Sequence, residues 1–333
     1  MAGSRIALDV MGGDGAPAAT LQGALKAIAD TSPHDLSAGD ILLVGDPERI
    51  REGLDALGGD PGFEIRPASQ VIEMGDSPAV ALRKKPDSSI AGCVAAIREG
   101  RASAMVSMGN TGACVGAATL GLGTLEGVRR AGIAVTLEFK GRAVTILDMG
   151  ANIAPKPQHL FQYGVMGATY VRDVLGVESP RVGLLNVGEE PSKGTDLLKE
   201  THGLLSGGSL HFVGNIEGGL LFRDAADVVV TDGFTGNVVL KLLEDFAAFM
   251  MEQVLTELRA HEAGWVGEAL ANLRKNIDYS EYGGALLLGV NGTVVIGHGR
   301  SEAGAVSNAL GLASRAVAAN VNGHIVEGLA AVR

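Results

Sequence analysis

The chain has 333 residues, of which 46% are hydrophobic, 20% charged and 4% aromatic, and its formal net charge is −11. This hydrophobic content argues against intrinsic disorder. The acidic balance, without a long Lys/Arg run, argues against general binding to nucleic acid. The 49 glycines exceed the average share of about 7% and suit short turns between strands and helices.

Strands and helices alternate along the chain. Apolar runs predict strands at 5–10, 41–44, 63–67, 70–74, 103–108, 133–139, 143–148, 182–187, 210–213, 227–231, 285–290 and 293–296. Helical spacing predicts helices at 17–30, 48–58, 88–98, 111–120, 158–175, 194–205, 236–261, 265–275 and 302–320. This order predicts an α/β fold with three α/β/α layers around a mainly parallel sheet. Without a linker or repeat, we expect 1–333 to be a single α/β catalytic unit.

Three features bear on location and cofactors. Cys93 and Cys114 form no metal motif and fit small buried hydrophobes in a reducing, cytoplasmic setting. The N-terminus enters a strand without a signal-peptide pattern. Residues 102–125 carry no charge, but glycines and Asn110 divide them into strand, turn and helix, so a membrane span is not predicted.

Four predicted strands end in glycine, amide and carboxylate residues. These ends are 108–112, 148–152, 186–194 and 231–237. In open α/β sheets, ligands bind beyond the carboxyl ends of the strands. The sequence therefore predicts one shared polar site.

The loop at 186–194, Asn-Val-Gly-Glu-Glu-Pro-Ser-Lys-Gly, is the most informative of the four. Lys193 is the first catalytic candidate, because a lysine can hold a phosphate or stabilise a developing oxyanion. Asn186 is a second candidate, as an amide donor to that oxyanion. Glu189 and Glu190 are expected either to position Lys193 or to accept a proton. The alternative for Lys193 is a solvated loop lysine.

Gly109, Asn110, Thr111 and Gly112 link a predicted strand to a predicted helix. Free N–H groups and partial positive charge at a helix start favour phosphate binding. The alternative is an ordinary glycine turn with Thr111 as the helix cap. Both interpretations remain open from these residues alone.

Further candidates lie later in the chain. Asp232 is a catalytic candidate, and Asn237 and Lys241 are substrate-binding candidates, with helix capping by Thr235 or Asn237 as the alternative. His298 is either a general base or a structural histidine.

Several common motifs are missing from the sequence. Residues 11–17 do not fit the dinucleotide fingerprint, and no Walker lysine pattern or Gly-x-Ser-x-Gly elbow occurs. We therefore expect no cofactor, no metal and no covalent acyl-enzyme.

A pair of helices is predicted over about 236–275. Apolar residues at helical spacing favour either core or dimer packing, or a projecting pair that contacts a membrane or an acyl carrier. Periodicity alone does not separate these alternatives.

Taken together, these motifs resemble the bacterial acyl-acyl-carrier-protein:phosphate acyltransferases, the PlsX family. The resemblance runs nearly end to end and is carried by residues 6–14, 107–113, 147–152, 184–194, 212–218, 232–241 and 279–285. Each motif is modest alone, but their order and spacing together are specific.

The resemblance implies a fold like that of phosphotransacetylase and isocitrate dehydrogenase. It also implies a homodimer with loose membrane association, and acyl transfer from acyl-acyl-carrier protein to inorganic phosphate. The product, an acyl phosphate, would feed phosphatidic acid synthesis. Since carrier proteins and this chain are both acidic, docking requires a local basic patch. The candidate patches are Arg83-Lys84-Lys85, Arg129-Arg130 and Arg274-Lys275.

Three rival functions follow from the same residues. A small-substrate phosphotransacetylase is the nearest of them in chemistry. A nicotinamide-dependent dehydrogenase shares the fold class but would need a dinucleotide site. A non-catalytic scaffold for lipid or carrier protein would leave the polar strand ends unexplained.

Overall fold

A computed structural model of the protein describes residues 5–29, 32–139, 141–260 and 283–332. The strands are β1 Ile6–Asp9, β2 Ile41–Gly45, β3 Glu64–Pro67, β4 Ala104–Ser107, β5 Gly132–Phe139, β6 Arg142–Leu147, β7 Val182–Leu185, β8 Phe212–Ile216, β9 Val228–Val230, β10 Ala285–Leu288 and β11 Thr293–Ile296. The helices are α1 Ala18–Ala27, α2 Pro47–Ala56, α3 Pro78–Lys84, α4 Ser89–Arg98, α5 Thr111–Leu122, α6 Pro157–Leu175, α7 Asp196–Ser206, α8 Gly233–Ala260, α9 Ala303–Ala318 and α10 Val321–Ala331. Short 3-10 turns occupy Ala38–Asp40 and Gly218–Phe222.

The chain divides into two compact units. The first contains the described residues up to Ala131 and from 283 to Ala331, and the second contains those from Gly132 to Ala260. The prediction that 1–333 acts as a single catalytic unit stays a prediction.

The first unit is built on strands in the order β3-β2-β1-β4-β11-β10. All neighbouring pairs are parallel except β10 with β11, which are antiparallel. Residues of β1, β2 and β4 are buried throughout. Such continuous apolar runs are typical of parallel strands that are covered on both faces.

The second unit orders its strands β5-β6-β9-β7-β8. The β5–β6 hairpin is antiparallel, and the other neighbours are parallel. The register aligns Leu147 of β6 with Val230 of β9, and Val230 with Leu184 of β7. The loops that follow these three strands therefore leave the sheet at the same edge.

The predicted α/β fold with a mainly parallel sheet is confirmed, and most element bounds agree within a few residues. The strand predicted at 70–74 is wrong, since only Gln70 forms an isolated bridge, with Ser88. Backbone carbonyls of this segment accept hydrogen bonds from side chains instead. The Lys85 ammonium donates to the carbonyl of Val71, and the Asn110 amide donates to the carbonyl of Met74.

Two helices were not predicted, and one predicted helix lies outside the described residues. The short α3 begins at a proline and spans seven residues, too few for a periodic signal. Helix α10 follows α9 after two residues, and the helix predicted at 302–320 ends just before it, so the prediction missed α10. The helix predicted at 265–275 lies outside the described residues.

Candidate functional site

The turn at the end of β4 is organised by Asn110. This buried side chain accepts the N–H of Ala113 at 3.0 Å and donates to the carbonyls of Met74 and Asp76, each at 3.0 Å. Asn110 therefore caps α5, and not Thr111 as the alternative interpretation of this turn had it. The amide is fully engaged in holding the turn. The backbone N–H groups of Thr111 and Gly112, at an exposed helix start, are the donors that remain for an anion.

Beneath this turn lies the carboxylate of Asp9, at the end of β1. It is fully buried and accepts the hydroxyl of Ser107 at 2.6 Å and the N–H of Met11 at 3.2 Å. The Ser107 hydroxyl oxygen in turn accepts the N–H of Gly109 at 3.1 Å. Burial raises the pKa of Asp9 above its ordinary value of 3.8, although these hydrogen bonds oppose the shift. Asp9 thus ties two strand ends together.

Substitution of Asp9 with asparagine should change how stability depends on pH. Because the pKa of Asp9 is raised in the folded state, its contribution is complete at low pH and is lost as pH rises through the folded-state pKa. Asparagine does not titrate. The free energy of unfolding of Asp9→Asn, measured relative to that of the wild type, should therefore rise from pH 4 to pH 8. The gain is about 1.4 kcal/mol for each unit of pKa elevation.

Urea denaturation of both proteins at pH 4, 6 and 8 measures this difference. Asp14→Asn, at an exposed carboxylate in the same unit, is the matched control. A difference that stays constant, or that falls with rising pH, would contradict the assignment.

In the second unit, the loop after β7 is shaped by Asn186. The Asn186 Oδ1 accepts the N–H of Val187 at 2.8 Å, and its Nδ2 donates to the carbonyl of Lys193 at 3.2 Å. Gly194 has φ +87°, and a Cβ there would lie 2.4 Å from Asn186 Oδ1. Asn186 therefore links the start of the loop to its C-terminal end.

A second buried amide holds the middle of the loop. Asn215, on β8, donates to the carbonyl of Glu190 at 2.8 Å, and its Oδ1 lies 3.1 Å from Nδ1 of His202. The N–H of Lys193 also bonds the carbonyl of Glu190 at 3.0 Å. Sequence reasoning missed Asn215, which lies 25 residues from its partner. The backbone around Lys193 is thus fixed at two points.

The side chain of Lys193 is exposed, and its stem packs beside Gly188. Within the described part of the chain, its ammonium has neither a hydrogen bond nor an ion pair. A fixed backbone with an unpaired cation is what an anion-binding lysine requires. The other predicted lysine, Lys241, differs because its ammonium is paired with Glu244 at 2.7 Å.

The loops after β6 and β9 pack directly on each other. The carboxylate of Asp148 accepts the N–H groups of Ile133, Gly150, Ala151 and Asn152 at 2.7 to 3.1 Å. Burial raises the pKa of this carboxyl. The N–H of Gly233 bonds the carbonyl of Asn152 at 2.9 Å. The start of α8 is therefore fastened to the end of β6.

Asp232 and Asn237 flank this junction. Both carboxylate oxygens of Asp232 are engaged by Thr235, through its N–H at 2.9 Å and its hydroxyl at 2.7 Å. Asp232 thus caps α8, and its catalytic role stays a prediction. Asn237 is exposed, with its Nδ2 2.7 Å from the position of a Cβ on Gly150. The structure brings the loops of Asp148, Asp232 and Asn237 together, and the register places the Asn186 loop at the same edge.

The remaining predicted residues fall elsewhere. Gly109, Asn110, Thr111 and Gly112 belong to the first unit. So does His298, whose Nδ1 accepts the N–H of Arg300 at 3.2 Å within the turn between β11 and α9. Both cysteines are buried, and burial raises the pKa of Cys114 to about 12, so neither thiol suits a nucleophile.

The predicted basic patches differ in how available their charges are. Lys85 is paired with Asp76 at 2.6 Å. Arg83 donates to the carbonyl of Ala79 within its own helix and makes no ion pair in the described ranges. Arg274 and Lys275 lie outside the described residues.

The described residues contain neither a membrane-spanning helix nor a cluster of metal ligands. None of the helices in these ranges combines the length and apolar character needed to cross a bilayer. Likewise, no three His, Cys, Asp or Glu side chains in the described chain come together as potential metal ligands.

Comparison with known proteins relates the chain to one family. A family model described as "Fatty acid synthesis protein" matches residues 4–324. A phosphate acyltransferase of Desulforudis audaxviator is 43% identical, with 99% of this chain and 97% of the relative covered. Those of Heliobacterium modesticaldum (44%, with 95% of each chain) and Bacillus licheniformis (41%, with 97% of each chain) are similarly related.

Solved structures share the fold at much lower identity. The EutD phosphotransacetylase of Staphylococcus aureus is 14% identical with a TM-score of 0.60, covering 94% of each chain. A phosphotransacetylase of Streptococcus pyogenes is 16% identical, also with a TM-score of 0.60, covering 95% of this chain and 94% of that one. A 4-hydroxythreonine-4-phosphate dehydrogenase of Klebsiella pneumoniae is 14% identical with a TM-score of 0.53, covering 95% and 98%. At these identities the likeness concerns the fold alone.

Proposed function

Because the chain belongs to the phosphate acyltransferase family, it is an acyltransferase, and we propose that it transfers a long-chain fatty acyl group from acyl-acyl-carrier protein to inorganic phosphate. The products are an acyl phosphate and free carrier protein. The acyl phosphate supplies phosphatidic acid and hence phospholipid synthesis.

The observation that carries the proposal is the loop from Asn186 to Gly194. Two buried amides hold its backbone, and Lys193 presents an ammonium that forms no ion pair with any described group. The thioester carbonyl gains negative charge when it is attacked, and a fixed cation stabilises that charge more than it stabilises the ground state. A small acyl donor would need the same group, so the loop supports the reaction class and not the chain length.

The chemistry needs positioning more than proton removal, since phosphate is already anionic at neutral pH. A phosphate oxygen attacks the thioester carbon, a C–O bond forms and the C–S bond breaks. The proton of hydrogen phosphate passes to the departing sulfur. Holding the two reactants together converts a bimolecular step into an intramolecular one. In this proposal Lys193 binds the developing oxyanion, and Asn237, with its exposed amide, donates to an oxygen of the substrate.

The phosphate role predicted for the Gly109–Gly112 turn is a separate part of the proposal. Since the Asn110 amide is engaged in the turn, the donors would be the N–H groups of Thr111 and Gly112. Replacing Thr111 with proline removes one of these N–H groups at a helix position that tolerates proline. We expect a raised Michaelis constant for phosphate, with the constant for the acyl donor unchanged.

The proposal also includes a second copy of the chain, the carrier protein and the membrane surface as partners. A homodimer in the cytoplasm with transient contact to the membrane surface follows from the family resemblance. The acidic carrier protein would dock on Arg83-Lys84 or Arg129-Arg130. Charge reversal at either pair should raise the Michaelis constant for carrier-protein donors but not for coenzyme A donors.

The decisive experiment is phosphate-dependent release of thiol from palmitoyl-acyl-carrier protein, with the acyl phosphate trapped by hydroxylamine. Release that requires phosphate and yields palmitoyl hydroxamate is the expected result. Turnover of acetyl-CoA alone would favour a phosphotransacetylase. Binding of the palmitoyl carrier without turnover would favour a scaffold.

A further inference from the structure

The ring of His202, on α7, is linked to the 186–194 loop (the Lys193 loop) through a single side chain. Its Nδ1 lies 3.1 Å from Oδ1 of Asn215, and Nδ2 of Asn215 donates to the carbonyl of Glu190 at 2.8 Å. The same carbonyl accepts the N–H of Lys193 at 3.0 Å. Three hydrogen bonds in series therefore connect a helix that follows the loop to the backbone of the candidate catalytic lysine.

The direction of each side-chain hydrogen bond follows from the carbonyl at the end of the series. A carbonyl oxygen only accepts, so the group of Asn215 that faces Glu190 is its NH₂, and its oxygen faces His202. That oxygen needs a donor, so the His202 ring carries a proton on Nδ1. The ring also contacts Phe212 edge-on, with the ring centroids 5.1 Å apart. His202 thus selects the amide orientation in which Asn215 binds the loop.

The orientation of the Asn215 amide depends on this donor because the side chain is buried. Asn215 is only 4% exposed, so water does not readily replace a lost partner, and an unsatisfied buried acceptor is costly. Turning the amide by half a rotation would exchange its two ends. Its oxygen would then oppose the Glu190 carbonyl, and the hydrogen bond that holds the middle of the loop would be lost.

We propose that His202 is a positioning residue for acyl transfer, because it orients the Asn215 amide and thereby fixes the backbone that carries Lys193. The inference rests on the proposed function, in which the Lys193 ammonium meets the developing oxyanion. His202 touches no reacting atom in this proposal. Groups that stabilise an oxyanion act through geometry that is set before the reaction. A loosened loop should therefore lower turnover and leave binding of the acyl donor unchanged.

His202→Asn and His202→Asp test this role as a matched pair. Both substitutions remove the ring and its contact with Phe212, both introduce side chains of nearly equal size, and both have similar helix propensity. The amide introduced by His202→Asn has its NH₂ as many bonds from the backbone as Nδ1 of the histidine, so it still donates to Asn215. The carboxylate introduced by His202→Asp only accepts, so it attracts the NH₂ of Asn215 away from Glu190.

We expect kcat of His202→Asp to be about tenfold lower than that of His202→Asn, since one hydrogen bond contributes up to about tenfold to an equilibrium. The Michaelis constant for palmitoyl-acyl-carrier protein should be equal in the two variants. Phosphate-dependent hydroxamate formation measures both quantities, and circular dichroism of each variant verifies the fold.

Two controls separate positioning from added charge and from general destabilisation. His211→Asp makes the same change at an exposed histidine of the same unit, whose Nδ1 lies 3.3 Å from Oγ of Ser179, and should leave kcat unchanged. In a Lys193→Ala background, His202→Asp should cause no further loss, because the positioned ammonium is already missing. A role in folding alone would lower turnover by the same factor in both backgrounds.

Amide hydrogen exchange at Lys193, followed by NMR, reports on the loop without depending on turnover. The Lys193 N–H is bonded to the Glu190 carbonyl, so its exchange should be faster in His202→Asp than in His202→Asn. Equal kcat, equal exchange, or an equal loss in the Lys193→Ala background would overturn the proposal. If the wild type transfers no acyl group, the proposed function fails and the exchange comparison alone decides. Faster exchange in His202→Asp then supports positioning of the loop by His202, and equal exchange rejects it.

Discussion

Replacing Lys193 with alanine is expected to lower phosphate-dependent acyl transfer by about 100-fold or more, the usual effect of removing one group that stabilises an oxyanion. The loss should appear mainly in kcat, because the charge that Lys193 meets develops only in the transition state. Thiol release and hydroxamate formation from palmitoyl-acyl-carrier protein measure it. The fold should not change, because the loop is held by the backbone carbonyls of Lys193 and Glu190 and not by the lysine side chain.

Lys199→Ala is the control for this prediction. Lys199 is exposed on α7, six residues along the chain, and should be replaceable without loss of turnover. Lys193→Arg keeps the charge but changes its shape and reach, so it should recover part of the activity. Near-normal turnover by Lys193→Ala, with circular dichroism unchanged, would remove Lys193 from the mechanism.

Replacing Gly236 with alanine should destabilise the second unit by about 3 kcal/mol or more, at the upper end of overpacking costs. A Cβ at this position would lie 1.9 Å from the carbonyl oxygen of Asp148 and 3.1 Å from Cα of Met149. Both are backbone atoms, so neither can rotate aside as a side chain would. The start of α8 would have to move away from the end of β6, and Asp232 and Asn237 would move with it. Chemical denaturation followed by circular dichroism measures the loss.

Gly203→Ala is the matched substitution on α7, the helix that precedes α8 along the chain. A Cβ on Gly203 meets nothing within 4 Å, and alanine is the better helix former by about 1 kcal/mol. The same chemical change should therefore stabilise the protein at Gly203 and destabilise it at Gly236. Similar unfolding curves for the two variants would show that α8 does not depend on this contact.

Local signals in the sequence predicted the fold and the positions of the polar loops. Apolar runs such as 182–187 end in glycine and amide residues, and alternation with helices places such ends at one edge of a parallel sheet. These inferences need only short windows of sequence. For this reason the sequence alone predicted the loop at 186–194 and the other polar strand ends of the second unit.

The roles of individual side chains depend on contacts between distant residues, which a short window cannot show. Asn110 is engaged by carbonyls 34 and 36 residues away, and Asn215 holds the Lys193 loop from another strand. Asp232 is a capping residue within its own turn, so its pattern fits both a catalytic carboxylate and a helix cap. Amides and carboxylates serve structure and chemistry equally well, and only their hydrogen-bond partners separate the two.

The contact between Asn186 and Gly194 also determines where this loop can diverge. With φ +87° and an amide oxygen 2.4 Å from the place of a Cβ, position 194 accepts only glycine while position 186 is asparagine. The exposed Val187 and Glu189 carry no such constraint. A mutant library that seeks new donor preferences should therefore randomise 187 and 189 and keep the 186–194 pair unchanged.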